Sequence, residues 1–232
     1  MPRLPLALLV ALMAVSGSAV SGCADAALDA DSDTALEPAP EAVTPTPAAP
    51  DAETAASTAL QVGAEAPDFA LPGASGETVR LGDALAQGPV VLTFYRGAWC
   101  PYCNTSLRQF QEALSDIEAA GATLVAISPN TPEGALEMEQ AQTLTFPVLS
   151  DVGNAVSRDF GLVFEVDEDV RDRYRASGVD LAEANGVDAW ELPVPATYVI
   201  DTDGTIRFAF VEADYTLRAS PRDVIEALQS LS

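Results

Sequence analysis

Residues 90–114, VVLTFYRGAWCPYCNTSLRQFQEAL, constrain the fold of this 232-residue chain more than any other stretch. The apolar run 90–95 is rich in β-branched and aromatic side chains and is bounded by turn residues, which predicts a buried strand. A short turn, Arg96-Gly97-Ala98-Trp99, separates it from Cys100-Pro101-Tyr102-Cys103, which opens a helix. Cys103, Leu107, Phe110, Leu114 and Ile117 recur at spacings of three and four, so they share one helical face.

Local chemistry follows from this placement. Pro101 suits the first helical turn, where a missing N–H costs nothing. Cys100 sits at the helix start, where unpaired N–H groups and the macrodipole favour a thiolate. Residues three apart on a helix lie about 5–6 Å apart at Cβ. A disulfide needs roughly 3.5–4.5 Å, so a small adjustment of the first turn closes the pair. Cys103 shares the apolar face and is expected to be the more buried thiol. A C-x-x-C pair at a strand-to-helix junction reads as a redox site. Two plainer readings compete: half a zinc site, or two inert core cysteines. Zinc ordinarily takes four Cys or His ligands, and this chain has three Cys and no His.

The chain begins with an address. Residues 1–22 carry one base, Arg3, an apolar core over 4–15 and then small residues, the pattern of a secretory signal. The stretch Val20-Ser21-Gly22-Cys23 resembles the bacterial lipobox, whose cysteine is lipidated and becomes the mature N-terminus. The competing reading is ordinary signal cleavage with a free Cys23. Residues 23–59 are then expected to be a lipidated Cys followed by a disordered, acidic Ala/Pro linker, a leash to a membrane. The protein is expected outside the cytoplasm, in the periplasm or at the cell surface.

Residues 60–232 are of ordinary single-domain size. The whole chain carries 35 acids against 11 bases, a net charge of −24, and every base is Arg. Nucleic acid is therefore a poor partner. The absence of His excludes a His-dependent triad, a His-ligated metal and an imidazole base. No cofactor is expected.

The expected order of elements begins with two short strands, 62–71 and 78–81, around a Pro-Gly turn, and a short helix near 82–86. The redox strand and helix follow, then a buried strand over 123–128 and a helix capped by Thr131 with Pro132 at its first position. A strand over 146–149 and a helix over 154–160, stopped by Gly161, come next. The polar stretch 162–192 is too long for an ordinary connection and reads as an insertion with one or two short helices, either a lid over the cysteines or a solvated excursion. A hairpin over 194–200 and 205–211 should turn Ile206, Phe208 and Phe210 inward together. Its Asp201-Thr202-Asp203-Gly204 turn lacks the fifth- and sixth-position residues of a calcium loop. Ser220 caps the last helix, whose apolar face is Val224, Leu228 and Leu231. Parallel strands with crossover helices, closed by an antiparallel pair, predict an α/β fold with a central mixed sheet flanked by helices.

From about Gly63 onward the chain resembles the AhpC/TSA peroxiredoxin-like family of the thioredoxin-fold superfamily. The carrying residues are Ala66-Pro67-Asp68-Phe69, the block FYRGAWCPYC, Phe146-Pro147-Val148-Leu149-Ser150-Asp151, and VPATYVIDTDG. Peroxiredoxins carry P-x-x-x-(T/S)-x-x-C after this strand. On this chain Arg96 takes the Pro position, Cys100 the Thr position and Cys103 that of the peroxidatic cysteine. The family's late Arg, which supports the thiolate, is replaced by Pro195. Trp99-Cys100-Pro101-Tyr102-Cys103 instead has the thioredoxin form, and Pro195 matches the proline that thioredoxins hold in cis facing their disulfide.

The resemblance thus implies two enzyme readings. In one, Cys103 attacks a hydroperoxide, Cys100 resolves the sulfenic acid as a disulfide, and a thioredoxin-like donor recharges the pair. Arg96 is then a candidate for the missing guanidinium, against the plainer reading of an exposed structural Arg. In the other, exposed Cys100 attacks a partner disulfide and Cys103 resolves the mixed disulfide. A copper chaperone is a third, minor reading, weakened by the lack of His.

Overall fold

The computed structural model describes residues 50–231. The signal peptide, Cys23 and most of the proposed linker lie outside the described residues. Helix α1 (Pro50–Thr58) leads to a small hairpin of β1 (Ala70–Pro72) and β2 (Thr78–Arg80), followed by α2 (Leu81–Leu85) and β3 (Val90–Phe94). Then come α3 (Pro101–Glu112), α4 (Leu114–Ala119), β4 (Thr123–Ser128), α5 (Pro132–Gln142), β5 (Val148–Ser150) and α6 (Ala155–Asp159). The insertion holds β6 (Val163–Glu165), α7 (Glu168–Ala176), α8 (Leu181–Asn185) and β7 (Glu191–Pro193). The chain finishes with β8 (Ala196–Ile200), β9 (Ile206–Val211) and α9 (Pro221–Gln229).

Five strands form the central sheet in the order β5-β4-β3-β8-β9. β3 runs parallel to β4, and β4 to β5, whereas β8 is antiparallel to both β3 and β9. The strands at the centre are apolar on both faces, as a sheet covered by helices on each side requires. Alternation divides them cleanly. Val91, Leu124, Ala126 and Val199 pack with α3, α4, α5 and α9 on one face. Val90, Leu92, Phe94, Val125, Ile127 and Tyr198 pack on the other, with Leu81 of α2 and Phe160 beyond α6. The apolar face of the redox helix holds as read: Cys103, Leu107, Phe110, Leu114 and Ile117 are buried in one cluster. The helix is interrupted at Ala113, which ends α3 and starts α4.

Three expectations need correcting. The composition predicts a disordered linker up to residue 59, but Pro50–Thr58 is helical, with Ala52 and Ala55 buried against Val194. Small side chains let this helix lie close: a Cβ at Gly161 would come 2.9 Å from the Thr58 carbonyl oxygen, and Leu60 N–H bonds Phe160 O at 3.1 Å. The first expected strand, 62–71, shortens to Ala70–Pro72, because 62–69 bonds mainly to the 204–206 turn region, with Ala64 N–H turned back onto Gln61 O. The third concerns the late hairpin. Ile206 packs on the α2 face, whereas Phe208 and Phe210 pack on the α3 face. A register shift between Val199 and Ile200 inserts an extra residue, and one residue of slip reverses which face a side chain meets.

The insertion is built, not solvated. β6 and β7 pair as an antiparallel ribbon at its base. Val166, Leu181 and Leu192 form its own small core, against which Trp99, Tyr174 and Trp190 pack. Trp190 is flanked by the guanidinium groups of Arg171 and Arg175, 5.6 and 4.7 Å from the ring centre.

Candidate active site

β3 ends at Phe94, and the chain crosses from the sheet to α3 through Arg96-Gly97-Ala98-Trp99. Gly97 adopts φ +152°, and a Cβ there would lie 2.4 Å from Trp99 Nε1 and 3.0 Å from Asn130 Oδ1. Only glycine lets the crossing pass this close to the indole. Asn130, buried beyond β4, accepts from Ala98 N–H at 2.9 Å and donates to Asn185 Oδ1 at 2.9 Å and to Ala184 O at 3.3 Å. One amide therefore ties the crossing loop to helix α8 of the insertion.

Cys100 is the N-cap of α3 and Pro101 its first residue. Cys103 follows in the first turn, facing the core. Both thiols are free and buried, Cys100 at 1 % and Cys103 at 0 % exposure. The expectation of an exposed Cys100 is thus overturned. The cause is the apolar packing of Trp99 and Tyr102 around the helix start together with the core residues that flank both sulfurs.

The two sulfurs are inequivalent. Burial alone pushes the Cys103 thiol up. The Cys100 thiol, the guanidinium groups of Arg218 and Arg96 and the Arg96 backbone N–H together outweigh burial and bring Cys103 down to about 5. Cys100 moves the other way, because it shares its proton with the Cys103 sulfur and because it is buried. The stable arrangement is a Cys103 thiolate beside a Cys100 thiol.

Arg218 was missed in the sequence. Its Nη2 lies 3.5 Å from Cys103 Sγ, while its other Nη donates to the carbonyls of Tyr215 and Leu217. The segment between β9 and α9 thus delivers the cation that the family places at the position Pro195 occupies here. Pro195 itself is buried ahead of β8, with its carbonyl accepting from Glu212 N–H at 3.5 Å.

Arg96 is not the exposed structural residue of the plainer reading; it is 3 % exposed. Its guanidinium carbon lies 4.1 Å from the centre of the Tyr215 ring, 5.0 Å from Trp99 and 5.7 Å from Tyr174. Its Nη2 donates to the Tyr174 hydroxyl. Trp99 packs on Tyr174, ring centres 5.2 Å apart, and Tyr102 meets Tyr215 edge-on at 5.6 Å. The structure therefore gathers Arg96, Trp99, Cys100, Tyr102 and Cys103, and adds Arg218, Tyr174, Tyr215 and Asn130. The one available signal for Arg218 was scarcity: an Arg adjoining an apolar hairpin in a chain with 35 acids and 11 bases. Tyr174 and Asn130 carried no local pattern. A separate cavity of about 460 Å³ lies beside Trp99, between α5 and α8, and Glu133, Glu137, Asp180 and Glu183 line it. Among the described residues no group of three or more His, Cys, Asp and Glu could hold a metal ion.

A mixed sheet of this topology with a dithiol at the start of its central helix defines a thioredoxin-fold redox protein. Residues 62–209 match the AhpC/TSA family, and the chain belongs to that family. A peroxiredoxin-family protein of Mycobacterium tuberculosis H37Rv is 34 % identical over 163 residues, 70 % of this chain and 90 % of that one. Peroxiredoxin Bcp of Escherichia coli K12 is 32 % identical over 103 residues, 44 % of this chain and 65 % of its own length. Among solved structures, peroxidoxin BcpB of M. tuberculosis superposes with a TM-score of 0.59 at 22 % identity, covering 75 % of this chain and 99 % of that chain. Peroxiredoxin Q of Xanthomonas campestris gives 0.56 at 20 % identity over 74 % and 96 %. These relatives are peroxiredoxins, and the chain shares their family.

Proposed function

We propose that this protein reduces hydroperoxides through a Cys103/Cys100 cycle. The Cys103 thiolate attacks the terminal oxygen of ROOH; the O–O bond breaks, the alkoxide takes a proton and leaves as ROH, and Cys103 becomes a sulfenic acid. The Cys100 thiol then attacks that sulfur, releasing water and forming the Cys100–Cys103 disulfide. An external dithiol of thioredoxin type returns both sulfurs to the thiol state and is itself oxidised to a disulfide. Arg218 and Arg96 favour the thiolate and face the charge that develops as the O–O bond breaks.

The observation that carries this reading is the Arg218 guanidinium 3.5 Å from the Cys103 sulfur. It supports the inner cysteine as the nucleophile, whereas disulfide exchange of the thioredoxin kind needs an exposed outer one. Burial of both thiols also favours a small substrate over a protein disulfide. We read Cys23 as the lipidated residue and the acidic segment after it as a tether, which puts the domain outside the cytoplasm and its donor in the same compartment.

The test is a paired assay. The purified protein with dithiothreitol should consume hydrogen peroxide over many turnovers and reduce insulin disulfides no faster than dithiothreitol alone, and Cys103→Ser should lose the peroxide activity. Insulin reduction without peroxide consumption would replace this reading with disulfide exchange. For the anchor, a radiolabelled fatty acid should be incorporated by the wild type and not by Cys23→Ser.

A further inference from the structure

A buried guanidinium without a carboxylate partner is costly, and a protein that keeps one holds it for a purpose. Arg96 is such a group. Among the described residues its side chain forms no ion pair, its Nε is buried without a hydrogen-bond partner, and its hydrogen-bonding acceptor is the Tyr174 hydroxyl. The three rings around it attract a cation but do not fix its rotation; Tyr215 lies over it at 4.1 Å, with Trp99 and Tyr174 farther out. The fork is therefore oriented by one oxygen.

That oxygen belongs to the insertion. Tyr174 lies on α7, 78 residues along the chain from Arg96, and α7 is held over the site by the Val166, Leu181 and Leu192 core and by the Trp99–Tyr174 packing. We infer that Tyr174 is a positioning residue for Arg96: its hydroxyl holds the guanidinium in place against the Cys103 thiolate, so that the insertion completes the active site. This rests on the reading of Cys103 as the reacting thiolate. The titratable and charged groups facing Cys103 are Cys100 from its own helix start, Tyr95 and Arg96 from the end of the central strand, and Arg218 from the segment before α9. Of these, Arg96 alone depends on the insertion for its hydrogen bond. With Tyr174 reduced to Phe, the ring still covers the site but the fork loses its acceptor. A buried donor left unpaired turns towards water, and the thiolate loses one of two cations.

The test titrates the thiolate by its absorbance near 240 nm in the reduced full-length protein, a readout independent of turnover. Tyr174→Phe should raise the midpoint of the Cys103 step by about one pH unit, within the span of shifts that one nearby charge produces. It should slow the reaction with hydrogen peroxide about tenfold at pH values well below the wild-type midpoint and leave it unchanged near pH 9. Tyr174→Ala should shift the midpoint at least as far. A Tyr174→Phe titration superimposing on the wild type, in a protein of unchanged circular dichroism, overturns the inference while leaving the peroxidase reading intact. An acid-side thiolate step that survives in Cys103→Ser would instead sink the peroxidase reading itself.

Discussion

The Arg218 guanidinium lies 3.5 Å from the Cys103 sulfur, although 115 residues separate them in the chain. Its other nitrogen grips the Tyr215 and Leu217 carbonyls, so the segment that supplies the cation is fastened by the same side chain. Arg218→Met should therefore raise the Cys103 pKa and slow peroxide reduction at pH values below about 5 by about tenfold for each unit of rise, since there the thiolate is the minor form in both proteins. Arg218→Lys, which keeps the charge and loses the fork, should recover part of the rate. Stopped-flow mixing with hydrogen peroxide at several pH values measures both.

The depressed Cys103 pKa has a stability consequence with a definite sign. Its folded value, about 5, lies below that of an unfolded thiol, about 8.5. The group therefore contributes stability that is fully present above the unfolded pKa and is lost as pH falls through about 5. Urea unfolding under reducing conditions should show wild type losing its advantage over Cys103→Ala between pH 8 and pH 5. The rate of peroxide reduction should be flat above pH 6 and fall about tenfold per unit below pH 5.

Helix α1 is part of the folded domain, since Ala55 is buried against the region of Val194. Ala55→Glu puts a carboxylate where only a methyl fits. It should cost at least about 2 kcal/mol, or roughly 4–8 °C in melting temperature for a domain of this size. Differential scanning calorimetry reads the shift. A melting temperature equal to the wild type's would mean that α1 detaches without consequence.

Regular elements were legible where local rules decide them. Thr131 does cap α5, its hydroxyl accepting from Gly134 N–H, and Ser220 caps α9 through Asp223 N–H. The central strands showed as continuous apolar runs because both their faces are buried. The register shift at Val199/Ile200 left no mark in the alternation of Ile206, Phe208 and Phe210, because it depends on how β8 and β9 pair. Helix α1 was hidden by its composition: alanines and acids in a Pro-rich segment bury only methyl groups. The dithiol and Arg96 were visible in one motif. Arg218, Tyr174 and Asn130 were not, since each reaches the site through tertiary contacts with residues at least 32 positions away.

The central claim is that Cys103, the inner cysteine, is the peroxide-reactive thiolate. The most direct measurement is to treat reduced Cys100→Ser and Cys103→Ser with one equivalent of hydrogen peroxide in the presence of dimedone, and to map the adduct by mass spectrometry. A sulfenic-acid adduct on Cys103 in Cys100→Ser, with Cys100 left unmodified in Cys103→Ser, is the predicted result. An adduct on Cys100 in Cys103→Ser, with Cys103 unreacted in Cys100→Ser, would contradict the account.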